Sequence, residues 1–411
     1  MPVGRNNSAI EVLGVAMKAF DTQTPVLVLG GAENSLSVAR SLGRQGIAAF
    51  VSASSDHAAS YSRFSVDFPG LTVSGPDSDH WRRLLLENPA DELQGAVVMA
   101  MSDVAIAFIR EHDRELRQRY LLERNDVEIR AGLLDKLEIL RLAERAGLNA
   151  PKAFSICSGQ DIRPILPDVN FPVLVKPIYS HLFRDVFGVK LFIANTPDET
   201  IEIVSRSHEH GLDVMLCEWI PGPNSLLRSY YTYIDDSGRR ITEFTKFVTR
   251  RWPQFGGGTF HGCSWQPDVA EAGRKFVDSI GMKGIFNIEF KRDTRDNSLK
   301  VIESNPRITA AQELLLRSGV DFSEIIYRDL TGQELVVSDG DSHQYGLTYW
   351  YPRRDFAAFR ASRRAGEIGW GQWIHQVSRC HVFPYFQFSD PMPTLVRTYR
   401  LFGNKIKKIL T

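Results

Sequence analysis

Two glutamates and an asparagine near residue 300 carry the strongest chemical signal in the chain. In GIFNIEFKRDTRDNSLKVIESNPR, residues 284–307, two alternating runs flank a polar turn at 293–298, which is how a β-hairpin is written. Pairing the runs sets Glu289 nearly opposite Glu303, and period-two alternation puts Asn305 on the face of Glu303. Like charges opposed on paired strands repel by a few tenths to about 1 kcal/mol, and burial between apolar flanks raises that cost. A hard dication between them removes it. Two carboxylates and an amide oxygen suit magnesium, which takes one or two carboxylates and completes its shell with water and phosphate oxygens. The alternative is an exposed hairpin with ordinary surface glutamates, and the apolar flanks argue against it.

Lys176 lies in FPVLVKP, residues 171–177, where an ammonium inside an apolar strand calls for an anion. Lysine binds phosphate as a compact point charge, and Lys136 of the Asp135-Lys136 pair can share a polyphosphate load. The structural alternatives are a strand-end lysine reaching water and a solvated first turn of a helix. Cys217-Glu218-Trp219-Ile220, before Pro221-Gly222, reads as a strand and its turn. Arg307, just past Asn305, is placed to pair with a phosphate or a substrate carboxylate. Arg250 and Arg251 precede the glycine cluster 256–258, where a mobile loop could bring them over a reacting anion or leave them solvated. Gly30-Gly31 lacks the G-x-G-x-x-G spacing of a dinucleotide site. His181 and His261 sit in loops, but a lone histidine is usually structural.

These residues need elements to hold them. Residues 1–23 form an arm. From residue 24 to about 125, apolar runs at 26–29, 47–51 and 96–101 alternate with helical stretches, which predicts a small Rossmann-like α/β domain with ligands gathered beyond the strand ends. Residues 126–338 form a second unit, with strands at 171–177, 189–193 and 214–220, a helix at 198–210, a hairpin at 230–248 and a helix at 269–280. Within it, residues from about 150 to 222 make a lid subdomain. Residues 339–411 are a basic, aromatic C-terminal extension.

Composition narrows the class further. A chain of 411 residues exceeds one ordinary core, and 43% hydrophobic with 24% charged residues is a globular balance. Forty-nine basic residues equal forty-nine acids, so no overall electrostatic footprint for nucleic acid exists. Four scattered cysteines without a C-x-x-C pair indicate neither a disulfide framework nor zinc, and a reducing cytoplasm fits. No signal-like or membrane-spanning run of apolar residues is present. From Arg353 onward, eleven basic residues face three acids, and Leu395, Tyr399, Phe402, Ile406 and Ile409 make an apolar stripe if helical. That stripe can pack on the body, the favoured expectation, or make a peripheral contact with an anionic membrane.

Taken in order, Asp135-Lys136, FPVLVKP, E-W-I-P-G, I-E-F and I-E-S-N-P-R resemble the ATP-grasp superfamily over residues 24–335, and within it the carboxylate–amine ligases related to D-aspartate ligase. The resemblance implies an ATP-grasp fold (α/β, α+β) with an N-terminal Rossmann-like domain preceding it. It also implies ATP and Mg2+ as cofactors, and small-molecule carboxylate and amine substrates joined through an acyl phosphate. Lys136 and Lys176 would then contact ATP phosphates, and Glu218 with the backbone of Trp219 and Ile220 would line the adenine and ribose pocket. Glu289, Glu303 and Asn305 would hold magnesium. Arg307 would steady the acyl phosphate, with Arg250 a further catalytic candidate and Arg63 and Asp103 candidates in the acceptor pocket. One departure is the loop at 179–188, Tyr179-Ser180-His181-Leu182-Phe183-Arg184-Asp185-Val186-Phe187-Gly188, which lacks the glycines of many members. It keeps open a nucleotide-binding regulator without turnover, beside an ATP-dependent kinase on the same site. A homodimer also stays open.

Overall fold

Why the first apolar run becomes a strand is plain from its burial: Val26, Leu27, Val28 and Leu29 are fully enclosed, with water on neither face. Such runs pair in parallel under helical cover. In the computed structural model, which describes residues 20–54, 57–68, 70–177, 183 and 186–400, this run is β1 (Val26–Leu29). It pairs in parallel with β2 (Ala49–Ser54), which also carries the short β3 (Ser65–Val66) and β4 (Thr72–Val73). On its other side it pairs with β5 (Val97–Ala100), giving the order β3-β2-β1-β5. The helices Glu33–Arg44 and Asp103–Leu116 start beyond the ends of β1 and β5, the latter capped by Ser102 Oγ accepting from the Ala105 amide. Gly31 is needed at the first of these turns, with φ of +89° and a Cβ that would lie 2.1 Å from Ser35 Oγ.

The second unit opens on helices Val127–Gly132 and Lys136–Arg145. A small antiparallel sheet follows, built of β6 (Ala153–Ile156), β7 (Val173–Pro177), β8 (Phe192–Ala194) and β9 (Val214–Glu218) in the order β6-β9-β7-β8. The helix Pro197–Glu209 covers it.

A larger antiparallel sheet is built from β10 (Leu227–Ile234), β11 (Arg240–Arg251), β12 (Gly258–Cys263), β13 (Gly284–Arg292), β14 (Leu299–Asn305) and β15 (Thr348–Trp350), in the order β14-β13-β10-β11-β12-β15. One face packs Tyr230, Phe286 and Ile288 against the helix Pro267–Ile280. On the other, a continuous apolar cluster runs from Val26 and Leu36 of the first unit to Tyr231, Phe244 and Tyr349.

The C-terminal stretch, set apart by composition, is built into both units. β15 extends the large sheet, and the helices Pro352–Arg364 and Trp370–Ser378 follow it. The buried Asp390 accepts from Arg40 Nε at 2.8 Å and from Ser62 Oγ at 2.7 Å in the first unit. The expectation that the tail packs through its apolar stripe is corrected over the described part. Residues 392–400 are helical, yet Leu395 and Tyr399 are exposed, while Arg397 lies 4.0 Å from the Tyr385 ring centre and Arg400 donates to Tyr61 at 2.5 Å. The long basic side chains reach tyrosine faces on the body, which leaves the apolar side outward. Residues 401–411 lie outside the described part. Among the described residues no helix is long and apolar enough to cross a membrane.

Candidate active site

The hairpin β13–β14 sets Glu289 directly opposite Glu303 and Asn287 opposite Asn305. The register slips between Glu289 and Phe290, so that Ile302 is an extra residue and the carboxylates stay on one face. Asn305 Nδ2 donates to Asn287 Oδ1 at 3.0 Å, and Asn287 Nδ2 donates to the Tyr230 carbonyl at 3.0 Å. The amide of Asn305 is thereby oriented beside the two carboxylates. Neither Glu289 nor Glu303 accepts a hydrogen bond or ion pair from another described residue. Two opposed carboxylates without donors fit a divalent cation, with Asn305 Oδ1 as a third oxygen. Among the described residues no group of three or more His, Cys, Asp and Glu side chains that could hold a metal ion is found.

The row continues across the sheet, because Ser229 of β10 pairs with Glu289 on one side and with Lys246 of β11 on the other. Lys246 is 2% exposed and donates to Ser229 Oγ at 3.0 Å. Burial pushes its ammonium down to about 8 against the opposing pull of Glu289. Sequence reasoning missed this residue. Its signal was available, since Lys246 shares a strand face with Phe244 and Val248, the same anomaly that singled out Lys176.

Lys136 begins the helix Lys136–Arg145, whose cap is Asp135 Oδ1 accepting from the Leu137 and Glu138 amides at 2.8 and 3.1 Å. Burial lowers its pKa, the charge of Glu303 opposes that shift, and Lys176 and Lys190 repel it. Lys176, Lys190 and Glu303 thus all lie in electrostatic reach of Lys136. Lys176 Nζ lies 3.4 Å from Cys217 Sγ. Arg307 Nε donates to Asp103 Oδ1 at 2.8 Å, bridging the first unit to the end of β14. Of the residues in the loop at 179–188, those numbered 179–182, 184 and 185, His181 among them, lie outside the described part.

Two clefts are each lined by some of these residues. One, of about 590 Å3, lies between the small and large sheets and is lined by Lys176, Cys217, Trp219, Ile220, Lys291 and Ile302. Glu218 lines it as well, but its carboxylate is held by Arg295 at 2.5 Å and by the Lys152 amide at 3.1 Å. Lys291 Nζ donates to the Ile220 and Gly222 carbonyls at 2.8 and 2.7 Å, fixing the segment after β9. Glu367, Ile368 and Gln372 of the C-terminal stretch close the same cleft, a contribution no local motif announced. The other cleft, of about 1460 Å3, runs from Glu33 and Asp103 in the first unit to Lys136, Glu303, Asn305 and Arg307. Asn34 ties its walls together by donating to the Met101 and Ile308 carbonyls, both at 2.9 Å.

Three expectations change. Arg250 is not on a mobile loop. It is a buried residue of β11 held in a fork by Asp355, at 2.7 and 2.9 Å, so its charge is already matched by protein. Arg63 is exposed, lies against the Phe64 ring and is absent from the lining of the large cleft. His261 is in β12, not a loop; burial first and Lys246 second push its pKa down to about 3, which keeps it neutral beside Gly258. A Cβ on Gly258 would sit 2.3 Å from the His261 Nε2 atom, so only glycine fits there.

No family model matches the chain. The D-aspartate ligase of Enterococcus faecium is 23% identical over 258 residues, 60% of this chain and 61% of that protein. The carbamoyl phosphate synthase large chain of Paenarthrobacter aurescens is 25% identical over 177 residues, 41% of this chain and 15% of that one. The chain therefore spans less than two thirds of the length of either relative. Among solved structures, N5-carboxyaminoimidazole synthetase from Staphylococcus aureus complexed with ADP superposes with a TM-score of 0.61 at 17% identity, covering 80% of this chain and 82% of that one. L-amino acid ligase from Bacillus licheniformis superposes with a TM-score of 0.55 at 15% identity, covering 80% and 79%. These neighbours share one architecture, and the chain has that fold, the ATP-grasp fold.

Proposed function

We propose that the chain is an ATP-dependent carboxylate–amine ligase. The observation that carries this reading is the end of the hairpin β13–β14, whose neighbouring residues Ile302 and Glu303 line the narrow and the wide cleft. There Glu289, Glu303 and Asn305 face one small volume, and Lys136 stands within electrostatic reach of Glu303. Such an arrangement suits a polyphosphate reaching from the narrow cleft and a second substrate in the wide one. The D-aspartate ligase relative and the ADP-bound neighbour support the same choice.

In this reading the adenine lies in the narrow cleft beside Trp219 and Ile220, and Lys176 and Lys136 take the phosphates. The Glu218 carboxylate, already held by Arg295, contributes by anchoring the end of β9. Glu289, Glu303 and the Asn305 oxygen would hold magnesium, which when bound neutralises phosphate charge during in-line transfer. The substrate carboxylate attacks the γ-phosphorus, ADP leaves, and the acyl phosphate is captured by an amine with release of phosphate. Arg307, steered by Asp103, steadies the anion at the acyl centre. No side-chain nucleophile is required. A phosphate-release screen of amino acids and small carboxylates with ATP and magnesium tests the reading. Release dependent on an acid and raised by an amine is expected. A stable phosphorylated product would establish a kinase instead, and nucleotide binding with no turnover on any acid would favour a regulator.

A further inference from the structure

The outer side of the two C-terminal helices departs from the habit of surface helices, which turn their apolar residues inward. In Trp370–Ser378 the polar Gln372 and Gln376 line the narrow cleft. Trp370 and Ile374, about half a turn round at roughly 100° per residue, are 43% and 52% exposed. The neighbouring helix Pro352–Arg364 repeats the arrangement, with Ser362 in the cleft and Phe356 41% exposed. The two apolar edges are joined. Phe356 and Trp370 have ring centres 6.4 Å apart, and both pack on Phe359, at 6.2 and 4.6 Å. They make one patch, where singly scattered apolar residues would need no explanation.

Around that patch the charge has one sign. Arg353, Arg360 and Arg363 stand three residues before, four after and seven after Phe356, which sets these exposed arginines on its stripe of the helix. Arg363 also lies over the Trp370 ring, 5.2 Å from its centre. Among the described residues no acid pairs with Arg353, Arg360, Arg363 or Arg364. The acids of this stretch are turned elsewhere: Asp355 is held by Arg250, Asp390 by Arg40, and Glu367 lines the narrow cleft. Unpaired guanidinium groups around exposed rings fit phosphate oxygens lying over an apolar layer.

We infer that the outer face of these two helices docks on the surface of an anionic lipid bilayer, with the arginines on headgroup phosphates and Phe356, Trp370 and Ile374 at the headgroup–acyl boundary. No helix among the described residues is long and apolar enough to cross a membrane, so the contact is peripheral. It needs neither nucleotide nor substrate, and stands whether or not the chain is a ligase. Two other occupants fit less well. A second copy meeting this face about a two-fold axis would bring the same arginines together with no acid between them. A single-stranded nucleic acid stacks its bases on ring faces, whereas Arg363 already covers one face of Trp370 and Ile374 has none to offer.

The test is co-sedimentation of the full chain with vesicles of phosphatidylcholine, alone or mixed equally with phosphatidylglycerol. The wild type should bind the mixed vesicles, less so at high salt, and leave the neutral ones. Arg353→Gln with Arg360→Gln should weaken that partition on the order of 30-fold, the loss of two charges near an anionic surface. Ile374→Ser should weaken it several-fold with every charge kept. Melting curves of both variants should match the wild type, since the three side chains are exposed and the two arginines have no partner to lose. No binding to the mixed vesicles, or binding that both variants leave intact, would overturn the inference. So would a loss confined to the arginine variant, which would reduce the contact to diffuse charge attraction. Self-association, or an oligothymidylate complex, that is tighter than vesicle binding and lost in the same variants would reassign the face to a second copy or to nucleic acid.

Discussion

Glu303 and Lys246 stand in one row of the large sheet, and substitutions at each have opposite expected consequences. Glu303→Gln keeps the volume and removes the charge that would hold magnesium, so magnesium-dependent turnover should fall on the order of 10²–10³-fold. Thermal stability should hold or rise, because one of two opposed carboxylates is gone. Phosphate release across a magnesium titration, beside a melting curve, checks both halves. Lys246 is a pH reporter. Its folded pKa of about 8 lies below the ordinary 10.5, so between those values the unfolded chain binds more protons and stability rises as pH rises. Below about pH 8 the burden of the buried charge is constant. Denaturation at a series of pH values should therefore show a rise between pH 8 and 10.5 that is smaller in Lys246→Met than in the wild type. The hairpin acids were legible because their partner strand is adjacent in sequence. The apolar neighbours of Lys246 were legible too, but its place in the row with Glu289 was not, since that depends on β10 lying between β11 and β13.

At the scale of elements, the informative case is the pair of C-terminal helices that close the narrow cleft. Asp355 accepts from both arms of Arg250 and also from Trp350 and Trp373 Nε1, at 3.1 and 2.9 Å. This one carboxylate fastens the helix Pro352–Arg364 to β11. Breaking a buried pair from one side leaves an uncompensated charge and costs about 3–5 kcal/mol. Asp355→Ala should thus lower the melting temperature by several degrees. It should also weaken binding of an ATP analogue, because Glu367 and Gln372 are displaced from the cleft. Unchanged nucleotide affinity in a destabilised variant would remove these helices from the site. Most strands and helices were readable from periodicity, with ends off by a few residues: the strand expected at 189–193 is Phe192–Ala194, and the hairpin expected at 230–248 runs from Leu227 to Arg251. What composition could not reveal is that a basic, aromatic segment adds a strand to a sheet begun some 120 residues earlier.

At the scale of the whole molecule, segments far apart in the chain are joined by buried polar contacts. Arg40 and Asp390 are both enclosed, and Gln387 Nε2 donates to Glu313 Oε1 at 2.7 Å, so the described tail is tied to the first unit and to the second. In the described part of the final helix the arginines face the body and the apolar residues face outward. Arg397→Ala should therefore lower the melting temperature, with each lost cation–π contact worth roughly 0.5–2 kcal/mol. Leu395→Asp with Tyr399→Asp should leave it unchanged, and the reverse order would contradict this packing. The same chain sets Ile302 in the narrow cleft and Glu303 in the wide one, and the proposed function has a carboxylate meet a phosphate and then an amine there. Hydroxylamine tests that claim most directly. With ATP, magnesium and a panel of amino acids and small carboxylates, one acid should yield its hydroxamate in step with ADP, and the yield should vanish without ATP. ADP formation on an acid with no hydroxamate at saturating hydroxylamine would contradict the acyl phosphate, and with it the proposed ligase.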